Sequence, residues 1–170
     1  MATTYTLISS VTVGSGGAAT MSFTSIPNTY TDLLIKMSGR SDAGSFPTYL
    51  RLNSDSGNNY TWVNLYGFSG VAYSDTSGGN INYAWGGYTN ASSLTASTFS
   101  NSEIYIPNYA GSNKKSASAD GVMETNAANG VSLGIGANLW NNTAAVTTIT
   151  LLPSTGNFVQ YSTAYLYGIS

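Results

Sequence analysis

The sequence predicts an all-β fold, a single β-sandwich of jelly-roll type. Three observations predict it: short runs of residues alternate between apolar and polar, turn signals recur every 8–12 residues, and no segment shows helical periodicity. Ser, Thr, Asn and Gly make up nearly half of the chain, yet 42% of its residues are hydrophobic and 13 are Tyr. Disordered chains lack that aromatic content, so the composition favours strands with polar outer faces.

The first half of the chain contains five predicted strands, at residues 3–13, 18–26, 32–39, 46–53 and 59–66. The third is the clearest, because Leu33, Ile35 and Met37 share one face of it. The fifth alternates Tyr60, Trp62 and Tyr66 with Val63 and Leu65. The segment 55–58 has the composition of a hairpin turn, and it lacks the spaced carboxylates of a calcium loop.

The second half is predicted to contain two long loops, at residues 67–80 and 86–95, on either side of a short strand at 80–85. Strands follow at residues 99–107, 114–125 and 131–139. A closing hairpin is expected from a β-branched run at 146–152, a Pro- and Gly-containing turn, and an aromatic strand at 158–167. Period-2 alternation predicts the following core residues: Leu33, Ile35, Leu50, Leu52, Val63, Ile104, Ile106, Ile149 and Leu151.

The length of 170 residues favours one domain. We expect residues 11–170 to form the β-sandwich domain, and residues 1–10 to be an N-terminal attachment arm that merges into the first strand. The arm supplies the candidate attachment residues, which are Met1, Ala2, Thr3, Thr4 and Tyr5.

The residue types argue against catalysis. The chain has no His and no Cys, which removes the commonest general base, thiolate metal sites and disulfides. Its seven carboxylates include no pair marked by the sequence, and Asp42, Asp55 and Asp75 lie in turn-like contexts. We therefore expect no enzyme activity, no cofactor and no metal.

Charge and hydropathy exclude other partners. Five Lys and Arg residues are scattered along a chain of net charge −2, so no basic stripe is available for nucleic acid. The N-terminus has neither the basic nor the apolar region of a signal peptide, and no apolar run is long enough for a membrane helix. We expect neither nucleic-acid binding nor membrane insertion.

Aromatic side chains around the middle of the chain are the best candidates for contact with a ligand or a partner. We select Tyr66, Tyr73, Trp85 and Tyr88, because such rings stack on sugars or anchor protein interfaces. Tyr73 and Tyr88 lie in segments rich in Gly, Ser and Asn, which favours an exposed role. Trp62 and Trp85 could instead fill the sandwich core.

Several segments resemble virion proteins of tailed bacteriophages, cyanophages among them. The resemblance runs from about residue 20 to the end and rests on FTSIPNTYTDL at 23–33, FSNSEIYIPNY at 99–109, GNF at 156–158 and LYGI at 166–169. Similar domains occur as capsid decoration (cement or head-fibre) proteins and as tail-fibre tips. The resemblance implies a non-enzymatic jelly-roll sandwich, often trimeric, on the virion exterior, after synthesis in the host cytoplasm. It supplies no active-site residues.

Three functions remain open at this point. The first is a capsid decoration protein, a homotrimer or another symmetric oligomer bound to the major capsid or tail protein. The second is a receptor-binding tail-fibre tip that recognises a host surface glycan, and the third is a free carbohydrate-binding module. Low surface charge and an aromatic closing strand with Tyr161, Tyr165 and Tyr167 favour self-association.

Overall fold

The computed structural model describes residues 4–44, 46–127 and 131–170, and these contain twelve strands and no helix. The strands are β1 (Tyr5–Thr12), β2 (Met21–Phe23), β3 (Asp32–Gly39), β4 (Pro47–Leu52), β5 (Tyr60–Phe68), β6 (Val71–Thr76), β7 (Ala84–Tyr88), β8 (Ser100–Ile106), β9 (Lys115–Met123), β10 (Ser132–Trp140), β11 (Ile149–Pro153) and β12 (Thr163–Ile169).

The strands form two antiparallel sheets of unequal size. The larger has eight strands in the order β1-β12-β3-β8-β9-β10-β5-β6, and the smaller has four in the order β2-β11-β4-β7. One hydrophobic core joins the inner faces of both sheets. The predicted all-β class is confirmed, and the two packed sheets are consistent with a β-sandwich.

Eight of the nine predicted core residues are buried, each at most 2% exposed. Val63 is the exception and the prediction for it was wrong, because its side chain is 54% exposed. Strand β5 carries apolar residues on both faces, so its periodicity does not say which face turns inward. The aromatic face containing Tyr60 is the inner one, and the aliphatic face is the outer one.

The closing segment is not a hairpin. Strand β11 lies in the four-stranded sheet between β2 and β4, whereas β12 lies in the eight-stranded sheet between β1 and β3. The connecting segment crosses the core, where Phe158 is fully buried and forms bridges with Ala18 and Ser41. Turn residues between two strands indicate a reversal of the chain, but they do not determine whether the strands pair with each other.

The two predicted long loops are also more ordered than the sequence indicates. Segment 67–80 contains strand β6, which forms a hairpin with β5. Segment 86–95 begins inside β7, which starts at Ala84 rather than near residue 80. The rest of it is held by the guanidinium group of Arg40, which donates to backbone carbonyls between residues 92 and 98.

At the N-terminus, β1 pairs with β12 at one edge of the eight-stranded sheet. The side chain of Tyr5 is 59% exposed there. Of the candidate attachment residues, Met1, Ala2 and Thr3 lie outside the described residues. The division between an arm at 1–10 and a domain at 11–170 stays a prediction.

The turn between β4 and β5 is organised by the carboxylate of Asp55. It accepts hydrogen bonds from Trp140 Nε1 at 2.7 Å, from Asn59 Nδ2 at 2.9 Å and from the backbone N–H of Gly57 at 2.8 Å. Partial burial acts to raise the pKa of Asp55, but these three hydrogen bonds outweigh it and lower the pKa below its ordinary value of 3.8. Asp55 therefore links the turn to a buried indole on β10.

Replacing Asp55 by Ala should destabilise the protein by about 2 kcal/mol, because the Trp140 N–H loses its partner in a buried position. The ionised carboxylate is favoured in the folded state, so its contribution is complete above pH 3.8 and is lost as the pH falls through the lowered folded-state pKa. Urea unfolding at pH 7 and at lower pH measures this difference. Asp55→Asn, which keeps one acceptor oxygen, is the control and should lose less stability. An Asp55→Ala variant as stable as wild type at pH 7 would contradict the role of Asp55 in holding the turn.

Candidate functional site

The unequal size of the two sheets leaves a groove between them. Strand β7, at the edge of the four-stranded sheet, packs on β8, β9 and β10. The inner faces of β6 and of the second half of β5 therefore extend beyond the covering sheet, whereas Tyr60 at the start of β5 is covered. The groove has a volume of about 550 Å³ and is lined by Phe46, Pro47, Tyr49, Trp62, Asn64, Tyr66, Phe68, Tyr73, Asp75, Tyr83, Trp85, Tyr88, Met123 and Ser132. This volume is in the range of small-ligand sites, roughly 300–1,000 Å³.

Aromatic rings dominate the groove and contact one another in pairs. The pairs are Tyr66 with Tyr73 (stacked, centroids 5.2 Å apart), Tyr49 with Tyr83 (stacked, 3.7 Å), Trp85 with Tyr88 (edge to face, 5.4 Å) and Phe46 with Phe68 (edge to face, 6.1 Å). Such contacts fix ring orientation. The groove therefore presents a largely preformed aromatic surface.

All four contact residues selected from the sequence line this groove. Tyr66 is half-buried on β5, and Tyr73 is 42% exposed on β6. Trp85 and Tyr88 lie on β7 and are only 4% and 7% exposed, so they form the wall of the groove and also belong to the core. The loop location expected for Tyr73 and Tyr88 was wrong, since both lie on strands. The expected exposure is found for Tyr73 and not for Tyr88.

Sequence reasoning missed other groove residues, notably Asn64 and Tyr49. Trp62 was assigned to the core as an alternative, and it is a half-buried groove residue. The sequence did contain a signal for Asn64. Aromatic residues occupy every second position of β5, and Asn64 is the one exception. A polar residue in the middle of an aromatic inner face indicates a position that is not simply core.

Two polar atoms in the groove wall have no hydrogen-bond partner. They are Trp62 Nε1 and Asn64 Oδ1, two of the four such buried side-chain atoms among the described residues. The side chain of Asn64 is only 7% exposed. Buried polar atoms are nearly always paired, and leaving one unpaired costs about 1–3 kcal/mol. An unpaired donor and an unpaired acceptor are therefore buried among the residues that line the groove.

Glycines on β10 make room for these side chains. A Cβ atom at Gly136 would lie 2.5 Å from Asn64 Oδ1 and 2.6 Å from a ring carbon of Trp85. A Cβ at Gly134 would lie 3.0 Å from the hydroxyl oxygen of Tyr88. The absence of side chains at these two positions lets Asn64 and the rings of β7 lie directly on the sheet.

The groove carries little charge. Its described lining contains one carboxylate, Asp75, and no Lys or Arg. Burial raises the pKa of Tyr49 to about 12, with a further contribution from Tyr83, and burial also raises the pKa of Tyr88. These phenols are therefore neutral hydroxyl groups near pH 7. Glycoside hydrolysis by the usual mechanism needs two facing carboxylates, and the lining offers one.

The opposite face of the same strands carries a second feature, an exposed aliphatic patch. It consists of Val63, Leu65, Val122, Leu133, Ile135 and Leu139, which are 37% to 63% exposed. Leu65 lies directly opposite Ile135, and Leu133 lies directly opposite Val122, so the patch is continuous across β5, β10 and β9. Contiguous exposed apolar surface of this kind marks interaction sites.

A scan against protein-family models finds no match, and a search of curated proteins finds none either. In the part of the chain that the structure describes, no helix is long and apolar enough to cross a membrane. The same residues include no group of three or more acidic side chains placed to hold a metal ion.

Proposed function

We propose that the protein is a non-enzymatic structural protein of a tailed-phage virion, a decoration protein on the particle exterior that assembles as a symmetric homo-oligomer, most simply a trimer. The resemblance described above supports the virion location. A jelly-roll type of sandwich is part of the proposal, and it is supported by the chain's repeated crossing between the two sheets from β2 to β5 and from β10 to β12.

The observation that carries the proposal is the aliphatic patch. Six large aliphatic side chains face solvent on three neighbouring strands, where a free monomer would ordinarily place polar residues. Each is about half exposed and therefore forgoes roughly 1 kcal/mol of the free energy that full burial would provide. Covering this face with protein is therefore favourable.

Charge favours a second copy as the covering partner. The patch contains no charged residue, and its border continues along the sheet as Asp120, Glu103 and Lys36, with Lys36 Nζ 2.7 Å from Glu103 Oε2. Both signs of charge thus occur along one border, which allows self-complementary contacts. A net charge of −2 adds little repulsion between copies.

Attachment to the particle is proposed to run through the N-terminal end. Strands β1 and β6 are the two edge strands of the eight-stranded sheet, so a chain end attached through β1 lies at the edge opposite to the β5–β6 hairpin. In this arrangement segment 67–80, which contains β6, faces away from the capsid.

Deleting residues 1–5 should weaken binding to particles while the domain still folds, because β1 keeps its pairing with β12 from Thr6 onward. Co-sedimentation of added protein with particles that lack it measures binding, and near-UV circular dichroism checks folding. Immunogold labelling of intact particles should place the protein on the outside. Equal binding by the truncated chain, or no label on particles, would contradict the proposal.

A second candidate function is a receptor-binding tip that recognises a host surface glycan. The aromatic groove favours it, because concave aromatic sites with a few polar groups are typical of ligand binding. A free carbohydrate-binding module would use the same groove.

A further inference from the structure

The most accessible aromatic surface of the groove is the stacked pair of Tyr66 and Tyr73 on neighbouring strands. Their ring centroids are 5.2 Å apart, Tyr66 is half-buried, and Tyr73 is 42% exposed. They belong to the inner face of the β5–β6 hairpin, which the smaller sheet leaves uncovered. Rings held in this way offer an apolar surface and a hydroxyl at low entropic cost, which suits stacking against the C–H face of a sugar ring.

The unpartnered atoms in the groove wall define the hydrogen-bonding chemistry of an occupant. Trp62 Nε1 can only donate, and Asn64 Oδ1 can only accept. Asn64 is more than nine-tenths buried, so an unpaired oxygen on its side chain is costly. A ligand rich in hydroxyl groups can both donate and accept over a short distance, and it therefore suits both atoms.

Other ligand classes fit less well. Phosphates and acidic sugars need a cation, and the described lining of the groove has none, while Asp75 would repel them. Proline-rich peptides also dock in aromatic grooves, but prolines present carbonyl acceptors without an N–H donor. Such a peptide would pair with Trp62 and leave Asn64 Oδ1 unpaired.

We propose that this groove binds a neutral saccharide, which stacks on Tyr66 and Tyr73. Small rotations of the Trp62 and Asn64 side chains then bring Trp62 Nε1 and Asn64 Oδ1, both buried and unpaired, into hydrogen bonds with its hydroxyl groups. The proposal does not depend on the decoration role. The groove is formed by the inner side chains of β5, and the aliphatic patch by the outer ones. Saccharide binding and self-association can therefore be disproved independently.

The test is a titration of the full chain with neutral oligosaccharides built from glucose, galactose, mannose or N-acetylglucosamine. Uronate- and sialate-containing oligosaccharides and a proline-rich peptide are titrated in parallel. The readouts are isothermal calorimetry and the indole N–H resonances of the tryptophans. We expect at least one neutral oligosaccharide to bind with a Kd of about 1 mM or tighter. The indole resonance of Trp62 should shift on binding, and that of Trp140, which is bonded to Asp55, should not.

Three variants separate the contacts. Tyr66→Ala should weaken binding about tenfold or more through loss of stacking. Trp62→Phe and Asn64→Leu keep most of the side-chain volume, and each should weaken binding about fivefold through loss of one hydrogen bond. Ser74→Ala, next to Tyr73 on the outer face of β6 and outside the aliphatic patch, is the matched control and should change the Kd by less than about twofold. Near-UV circular dichroism verifies that each variant is folded.

Failure of every neutral oligosaccharide to bind at about 10 mM would overturn the proposal. Tighter binding of the acidic sugars or of the proline-rich peptide would overturn it as well. Unchanged affinity in folded Tyr66→Ala and Trp62→Phe variants would place the saccharide elsewhere on the protein.

Discussion

Replacing Gly87 by Ala should be among the most destabilising single substitutions in this chain. Gly87 lies on β7 with φ +93°, a left-handed conformation that side chains disfavour. A Cβ atom there would stand 2.3 Å from Ser102 Oγ, 2.6 Å from Ser102 Cβ and 3.0 Å from the carbonyl oxygen of Asp120. Strained backbone and overpacking against a neighbouring strand together predict a loss of about 3–5 kcal/mol.

Guanidinium-induced unfolding measures this effect, and Gly14→Ala is the matched control. A Cβ at Gly14 would meet nothing within 4 Å, so that variant should lie within about 0.5 kcal/mol of wild type. Because β7 also supplies Trp85 and Tyr88, a destabilised Gly87→Ala protein should lose the groove along with the packing of the two sheets. A Gly87→Ala variant as stable as the control would show that β7 does not approach the larger sheet this closely.

The second large effect is expected at Arg40, whose side chain is buried and has no carboxylate partner among the residues that the structure describes. Its Nη1 donates to the carbonyls of Thr95 and Thr98, both at 2.9 Å, and its Nη2 donates to those of Ser92 and Leu94 at 3.2 and 3.1 Å. One planar cation thus satisfies four carbonyl groups of a segment that has no strand of its own. Arg40→Ala removes all of these bonds and leaves some of the carbonyls buried.

We expect Arg40→Ala to cost about 3 kcal/mol, which lowers the Tm by roughly 6–12 °C in a domain of this size. Hydrogen exchange should become faster in residues 92–98 before the rest of the protein. Arg40→Lys should recover only part of the loss, because an ammonium group cannot reproduce the planar fork. Arg51→Ala is the control, since Arg51 Nε makes a single bond, to the carbonyl of Asn82. Equal losses of stability in Arg40→Ala and Arg51→Ala would contradict the claim that Arg40 holds residues 92–98 in place.

Local periodicity predicted individual strands well but not their arrangement. Residues 32–39 were predicted as a strand with the observed bounds of β3, because Leu33, Ile35 and Met37 share one face. The same reasoning failed for the closing segment, since β11 and β12 belong to different sheets. Alternation reports which side chains share a face, and it contains no information on which strand pairs with which.

The groove could be predicted in part. Aromatic content directed attention to Tyr66, Tyr73, Trp85 and Tyr88, and the fold brings all four to one groove. Strand β6 was missed, and β7 was placed at residues 80–85 rather than at Ala84–Tyr88. Glycine weakens the strand pattern in β7, where Gly87 lets the backbone approach Ser102. The groove itself follows from eight strands facing four, and a single sequence does not show how many strands each sheet contains.

The aliphatic patch was hidden for a different reason. Val63 and Leu65 have the composition of an inner face, so the sequence assigned Val63 to the core. The proposed self-association rested instead on Tyr161, Tyr165 and Tyr167. The structure adds a larger apolar surface at the other end of the same sheet, and that surface is now the strongest support for the proposal.

Sedimentation of the wild-type chain and of the double variant Leu65→Ser, Ile135→Ser at micromolar concentration tests the central claim most directly. Val71→Ser is the matched control, because Val71 is 52% exposed but lies outside the patch. We predict a wild-type oligomer, three times 17.7 kDa if it is a trimer, a double variant that sediments as a folded 17.7 kDa monomer, and a control that stays oligomeric. A monomeric wild-type chain, or a double variant that remains oligomeric, would contradict the claim that the patch is covered by a second copy.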